Sequence, residues 1–189
     1  TTIVVAQGND PSSADPGQTA ITELTVVRTL YETLLTQDVD GEFQPVLATE
    51  WENLSPTTWS FTLREGVTWQ DGEPFTAEDV AFSLMLLKKD GHPNSAQVIR
   101  EMVSAEARDA RTVVVTLSGD QARDTILSIA GLPVFSKAYY EANDFLAGTL
   151  QPPLSSGPYR VGRLSADRYI EYERVPDYWA KALPAQRGT

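Results

Sequence analysis

The sequence predicts a mixed α/β fold, in which strands and helices alternate along 189 residues. Residues 59–63 alternate between apolar and polar side chains, as in a half-buried strand. Val80, Leu84 and Leu87 recur at steps of three and four, as on the buried face of a helix. Clusters of Gly, Pro, Asn and Asp separate such segments. With 41% hydrophobic and 22% charged residues, the chain has the composition of a folded protein.

The first fifty residues predict a strand, a long loop and a helix. Residues 3–6 form a short apolar run, and residues 7–17 are dense in turn formers. The helix is predicted by an apolar stripe, and residues 38–45 then end it. Its apolar positions are Leu24, Val27, Tyr31, Leu34 and Leu35.

The middle of the chain predicts a strand, two turns and a capped helix. After the strand at residues 59–63, Gly66 allows a turn into a return strand at residues 67–69. Asp71 and Gly72 form a turn of a type common in hairpins. Thr76 followed by Asp79 resembles a capping box at the start of the next helix.

The remaining elements follow the same two periodicities. We predict a short helix at residues 95–103, strands at 104–108 and 112–117, and a helix that ends near Ile129. The last two predicted strands are residues 159–164 and 169–174.

Charge and composition exclude several classes of function. The chain has 26 acidic and 15 basic residues, a net charge of −11 and a pI near 4.5, so we expect no nucleic-acid partner. No apolar run approaches the roughly 20 residues that span a bilayer. We therefore expect no membrane insertion of this segment, and we expect that any export signal is already absent. The chain has no cysteine, which excludes thiolate chemistry and disulfides.

The motifs of common enzymes are absent from the sequence. His92, the one histidine, lies in a predicted turn and is expected to be a solvated loop residue. The sequence has no nucleophile elbow, P-loop or dinucleotide-binding glycine pattern, and the acidic residues 38–42 do not fit a calcium loop. We expect no metal, no cofactor and no catalytic residue, although sequence spacing leaves a hydrolase with paired carboxylates open.

Several segments together resemble the family-5 extracytoplasmic solute-binding proteins, the dipeptide and oligopeptide receptors of ATP-driven (ABC) importers. The most specific stretch covers residues 47–80, and further matches follow in the expected order along nearly the whole chain. The tail at residues 183–188 resembles the branch that includes microcin-C-type peptide receptors. The shorter matches are Leu30-Tyr31-Glu32-Thr33-Leu34-Leu35, residues 112–117, Ser156-Gly157-Pro158-Tyr159 and Pro176-Asp177-Tyr178-Trp179.

The resemblance implies a periplasmic-binding-protein-like class II fold of which this chain holds only a part. Residues 1–40 and 150–189 would belong to the first lobe, and residues 41–149 would form the extra domain characteristic of the family. The opposite lobe would be absent from this chain. The mixed order of strands and helices is compatible with this division.

The resemblance also implies a function without catalysis, namely the capture of a peptide between two closing lobes and its delivery to an inner-membrane ABC permease. It implies a periplasmic location and a monomer. A purely structural or interaction module remains an alternative beside the hydrolase. The ligand-lining positions that carry over are Gly8, Asn9, Asp10, Pro11 and Ser12 after the first strand, and Leu154, Ser155 and Ser156 before the Gly-Pro-Tyr motif.

Overall fold

The computed structural model describes residues 2–5, 30–119, 123–146, 153–165 and 169–181. Within these residues, nine strands and four helices occur. The strands are β1 Thr2–Val5, β2 Leu35–Gln37, β3 Phe43–Pro45, β4 Ala48–Ser55, β5 Thr58–Leu63, β6 Met102–Ala107, β7 Thr112–Leu117, β8 Tyr159–Ser165 and β9 Tyr169–Arg174. The helices are α1 Ala77–Asp90, α2 Pro93–Val98, α3 Arg123–Ala130 and α4 Lys137–Ala142. The mixed α/β class is confirmed.

The strands form three antiparallel sheets. One sheet has the order β1-β9-β8, so that the first described strand pairs with the last one, with Thr2 opposite Glu173. A second sheet has the order β4-β5-β7-β6, and β2 and β3 form a separate hairpin. In the four-stranded sheet, Phe61 lies opposite Val113, and both side chains are buried. The alternation at residues 59–63 therefore reports a half-buried strand, as predicted.

Helix α1 packs against β6 and β7 and begins as predicted. The carboxylate of Asp79 accepts a hydrogen bond from the backbone N–H of Thr76 at 2.9 Å, which completes the capping box. The helix ends at Gly91, where the backbone N–H donates to the carbonyl of Leu87 at 3.1 Å. Glu78 in the first turn and Lys88 in the last turn match the signs of the helix dipole.

The predicted helix that includes Tyr31, Leu34 and Leu35 is wrong at these three positions. Leu30 is helical, but Leu35 begins β2. The carbonyl of Leu34 accepts from the N–H groups of Val46 and Ala48, each at 3.1 Å, instead of from a following turn of helix. Tertiary pairing has overridden the apolar spacing, and it leaves all three side chains buried.

Other parts of the structure also differ from the sequence prediction. Residues 67–69 do not return along β5. They pair forward across the Asp71–Gly72 turn, with Phe75 N–H donating to the Val67 carbonyl at 3.0 Å. The helix predicted to reach residue 103 ends at Val98, and β6 begins at Met102. Strands β2, β3 and β4 and helix α4 were not predicted.

Candidate functional site

The segment at residues 153–159 connects the part of the chain that contains α4 to strand β8. On one side, the N–H of Gly157 donates to the carbonyl of Leu30 at 2.8 Å, and the N–H of Glu32 donates to the hydroxyl oxygen of Ser156 at 3.3 Å. On the other side, the segment contacts Gln70 at the turn that precedes α1. It is therefore fixed between two parts of the chain that are distant in sequence.

Gln70 bonds this segment through its backbone and through both ends of its side chain. Its N–H donates to the Ser155 carbonyl at 3.1 Å, and its Nε2 donates to the carbonyls of Gly157 and Tyr159, each at 3.0 Å. The hydroxyl of Ser155 donates to Gln70 Oε1 at 3.0 Å. One glutamine thus makes four hydrogen bonds to three residues, Ser155, Gly157 and Tyr159, within a stretch of five.

Glu32 is a buried carboxylate beside the same segment, and its side chain is held from the C-terminal side of the chain. The hydroxyl of Tyr178 donates to Oε1, and the indole Nε1 of Trp179 lies 3.0 Å from both carboxylate oxygens. Burial raises the pKa of Glu32 from 4.5 to about 7, although these hydrogen bonds and the charge of Arg64 act in the opposite direction. Burial and the neighbouring carboxylate likewise raise the pKa of the Tyr178 phenol.

Arg64 connects this acid to the end of the four-stranded sheet. Its guanidinium lies 4.6 Å from the centre of the Trp179 ring, and its Nε donates to the carbonyl of Val46 at 3.0 Å. Stacking of this kind places a positive charge on the face of an indole. The same positive charge acts to lower the pKa of Glu32.

Glu32 and Tyr178 line an open cleft of about 430 Å³. One side of the cleft comes from residues around the β2–β3 hairpin, and another comes from α3 and the glycine that follows it. Hydroxyl, amide and apolar groups all contribute to the lining, as in sites that bind small polar molecules. The lining residues are Tyr31, Glu32, Thr33, Leu35, Thr36, Gln37, Phe43, Val46, Leu127, Ser128, Gly131, Pro158 and Tyr178.

Of the predicted ligand-lining residues, the structure describes three. Gly8, Asn9, Asp10, Pro11 and Ser12 lie outside the described residues. Leu154 is half-buried and packs against the core, whereas Ser155 and Ser156 are 1% and 3% exposed. Both serine oxygens are hydrogen-bonded inside the protein, and the segment they belong to runs through Gly157 to Pro158 at the cleft.

Sequence reasoning missed Glu32, Arg64, Gln70 and Trp179 as a connected group. One signal was present, because Glu32 lies in a run of apolar residues, and a buried carboxylate requires hydrogen-bond donors. The identity of those donors was not readable, since Trp179 is 147 residues away.

Two further observations bear on the class of protein. Among the residues that the structure describes, no group of three or more His, Asp or Glu side chains is arranged to hold a metal ion. The described part of the chain also has no helix both long and apolar enough to cross a membrane. His92 is the half-buried N-cap residue of α2, where its Nδ1 accepts from the N–H of Asn94 at 3.3 Å.

Comparison with protein families identifies the chain. Residues 42–187 match the model of the bacterial extracellular solute-binding proteins, family 5. The chain belongs to this family. The motifs at residues 47–80 and Pro176-Asp177-Tyr178-Trp179 both lie within the matched residues. The comparisons do not distinguish the microcin-C-type branch from the rest of the family, so membership of that branch stays a prediction.

Curated relatives and solved structures agree with the family assignment. A putative binding protein of Brucella melitensis is 35% identical over 163 residues, which cover 84% of this chain and 26% of that protein. A mannohexaose-bound periplasmic oligopeptide-binding protein of Thermotoga maritima matches with a TM-score of 0.78 and 27% identity, over 95% of this chain and 34% of that one. OppA of Haemophilus influenzae, in complex with the peptide RPPGFSPFR, matches with a TM-score of 0.75 and 26% identity, over 93% and 38%.

The family-5 chain thus spans about a quarter of the curated relative and about a third of each solved structure. The partial class II binding-protein fold is confirmed by these matches. The Thermotoga protein is named as the periplasmic oligopeptide-binding protein of an ABC transporter.

Proposed function

We propose that this chain is part of the solute-binding component of an ATP-driven importer, which captures di- or oligopeptides between two lobes. One observation carries the proposal. Nearly all of the chain superposes on about a third of an oligopeptide-binding protein that holds a peptide, as expected of one lobe with its associated domain. The receptor would deliver its ligand to an inner-membrane ABC permease, act in the periplasm as a monomer, and catalyse no reaction.

The proposed division of the chain places residues 1–40 and 150–189 in the first lobe and residues 41–149 in the extra domain. It is supported by the sheet order, because β1, β8 and β9 share one sheet, whereas the four strands β4 to β7 form another. The boundary at residue 40 falls in the turn of the β2–β3 hairpin, next to Gly41, whose φ is +85°.

The proposed ligand-lining residues remain Gly8, Asn9, Asp10, Pro11, Ser12, Leu154, Ser155 and Ser156. Because the hydroxyls of Ser155 and Ser156 are engaged within the protein, we propose that residues 154–156 contact the ligand through the backbone and through Leu154. Backbone contacts suit a receptor that accepts many sequences, since every peptide offers the same N–H and C=O groups.

Native mass spectrometry and calorimetry on the longest form that the gene encodes test this function. The probes are tri-alanine and RPPGFSPFR, the peptide bound by the Haemophilus relative. Saturable binding with both peptides recovered intact supports a receptor. Cleavage of either peptide would support the hydrolase alternative, and neither binding nor cleavage would favour an interaction module.

A further inference from the structure

The contacts of Gln70 concentrate on the segment that the proposed function places against the ligand. Gln70 is a turn residue between Trp69 and Asp71, and it precedes that segment by more than 80 positions in the sequence. Its Nε2 group directs both of its hydrogens at backbone carbonyls, and its Oε1 accepts from Ser155. A primary amide has two donor hydrogens, so the donors of this side chain are fully used by the segment.

The segment has features that make such a contact consequential. It belongs to no helix or strand before Tyr159, and it carries Pro153 and Pro158, which lack backbone N–H donors. Its conformation therefore depends on hydrogen bonds to other parts of the chain. From the opposite side it is held by the Leu30 carbonyl and the Glu32 N–H.

We propose that Gln70 is a positioning residue for ligand binding, which holds residues 154–157 in the conformation that the ligand contacts. This inference rests on the proposed function. It assigns to the turn before α1 a part in recognition, although Gln70 itself need not touch the ligand. Segments that are ordered before binding lose less conformational entropy when the ligand arrives, so removal of the contact weakens binding.

The test is Gln70→Glu in the longest form that the gene encodes, with calorimetry of tri-alanine and RPPGFSPFR at pH 8 and pH 5. At pH 8 the introduced carboxylate has no hydrogen to donate and faces the carbonyls of Gly157 and Tyr159. We expect affinity to fall about tenfold or more. The two carbonyl oxygens disfavour the charged form and raise the pKa of the introduced carboxyl group. Lowering the pH to 5 therefore protonates part of it and restores one donor, so the ratio of variant to wild-type affinity recovers toward one.

Asn53→Asp is the matched control. Asn53 is an exposed residue of β4 whose Nδ2 also donates to two backbone carbonyls, those of Ser55 at 2.7 Å and Thr58 at 3.5 Å. The substitution makes the same change of amide to carboxylate, and we expect unchanged affinity. A second comparison uses Val113→Ala, a buried β7 substitution outside the segment that is expected to lower the melting temperature.

Amide hydrogen exchange without ligand completes the experiment. Faster exchange at residues 153–159 in Gln70→Glu, with loss of affinity and recovery at pH 5, supports the proposal. Wild-type affinity in Gln70→Glu, or a loss that Val113→Ala reproduces at equal melting temperature, overturns it. If the wild-type protein binds neither peptide, the proposed peptide function fails. In that case, faster exchange at residues 153–159 in Gln70→Glu would show that Gln70 has a structural role only. Unchanged exchange would show that it lacks the structural role as well.

Discussion

The indole Nε1 of Trp179 lies 3.0 Å from both carboxylate oxygens of Glu32, a residue 147 positions earlier in the chain. Their contact ties the turn after β9 to the segment before β2. Because Glu32 is only 6% exposed, its ionisation is coupled to the folding of both segments.

Glu32→Gln is expected to remove a pH dependence of stability. The pKa of Glu32 rises from 4.5 to about 7 on folding, so between these values the folded protein retains a proton that the unfolded chain has lost. The free energy of unfolding therefore falls as pH rises through this window. Above pH 7 the full effect is about 3 kcal/mol, at 1.36 kcal/mol for each pKa unit. Chemical denaturation from pH 5 to pH 8 measures it.

The variant should show a flatter profile over this range and gain stability relative to the wild type at pH 8. Glu52→Gln, on the exposed face of β4, is the control and should keep the wild-type slope. The carboxylates of Asp38, Glu78, Glu101 and Asp109 have lowered pKa values, so their effect on stability falls below this window. Equal slopes in Glu32→Gln and wild type would contradict the coupling.

Tyr178→Phe is expected to shift the pH dependence of the free energy of unfolding to higher pH. The hydrogen bond from Tyr178 lowers the pKa of Glu32, so its loss raises that pKa further above 7 and leaves the buried carboxylate with fewer donors. We expect a loss of about 1–3 kcal/mol at pH 8, and a smaller loss at pH 5, where Glu32 is protonated. The same denaturation series tests this, and a loss independent of pH would indicate altered packing alone.

Asp79→Asn is expected to destabilise more than its position in one capping box suggests. Besides the Thr76 N–H, its carboxylate accepts from the N–H of Lys137 at 2.9 Å and from the indole of Trp69 at 3.3 Å. In asparagine, an NH2 group replaces one of the two carboxylate oxygens. That NH2 group cannot accept a hydrogen bond and would face at least one of these three N–H groups. Leaving one unsatisfied costs about 1–3 kcal/mol.

The neighbouring Glu78 provides the control for Asp79. Glu78 makes an exposed ion pair with Lys137 at 2.8 Å, and exposed pairs contribute about 0–1 kcal/mol. Thermal and urea unfolding of Glu78→Gln should therefore stay near wild type. Comparable losses in the two variants would show that Asp79 acts only through its charge at the helix terminus.

The sequence alone was sufficient for elements that local pattern determines. Strands β5, β7, β8 and β9, the capping box of α1 and the end of α3 follow from periodicity and cap residues. The end of the helix near Leu30 was not predictable, because the Leu34 carbonyl bonds to residues 46 and 48. Short strands such as β2 carry too few residues for a pattern to show.

Local sequence pattern predicts less of the candidate site than of the fold. Motif resemblance led to residues 154–156, but the fact that two of their side chains face inward depends on Gln70 and Glu32, which are far away in sequence. Spacing along the chain carries no information about such pairs. A buried acid shows only that donors must exist.

Substitution of two glycines is expected to be unfavourable for different reasons, namely backbone strain at Gly66 and lack of space for a side chain at Gly91. Gly66 has a φ of +73°, and an added Cβ would meet no atom within 4 Å, so Gly66→Ala should cost about 1–2 kcal/mol through conformation alone. Gly91 has an ordinary φ of −71°, so its backbone conformation does not require a glycine. Its Cβ would lie 2.4 Å from the Leu87 carbonyl oxygen.

Gly91→Ala should therefore force the end of α1 to move, at a cost of about 1–3 kcal/mol. The readout is amide exchange in the last turn of α1 and in α2, together with the melting temperature. Faster exchange confined to these helices is expected in Gly91→Ala and not in Gly66→Ala, whose effect should appear in the melting temperature only. Wild-type exchange and stability in Gly91→Ala would mean that the helix end adjusts freely, and that glycine is not required there.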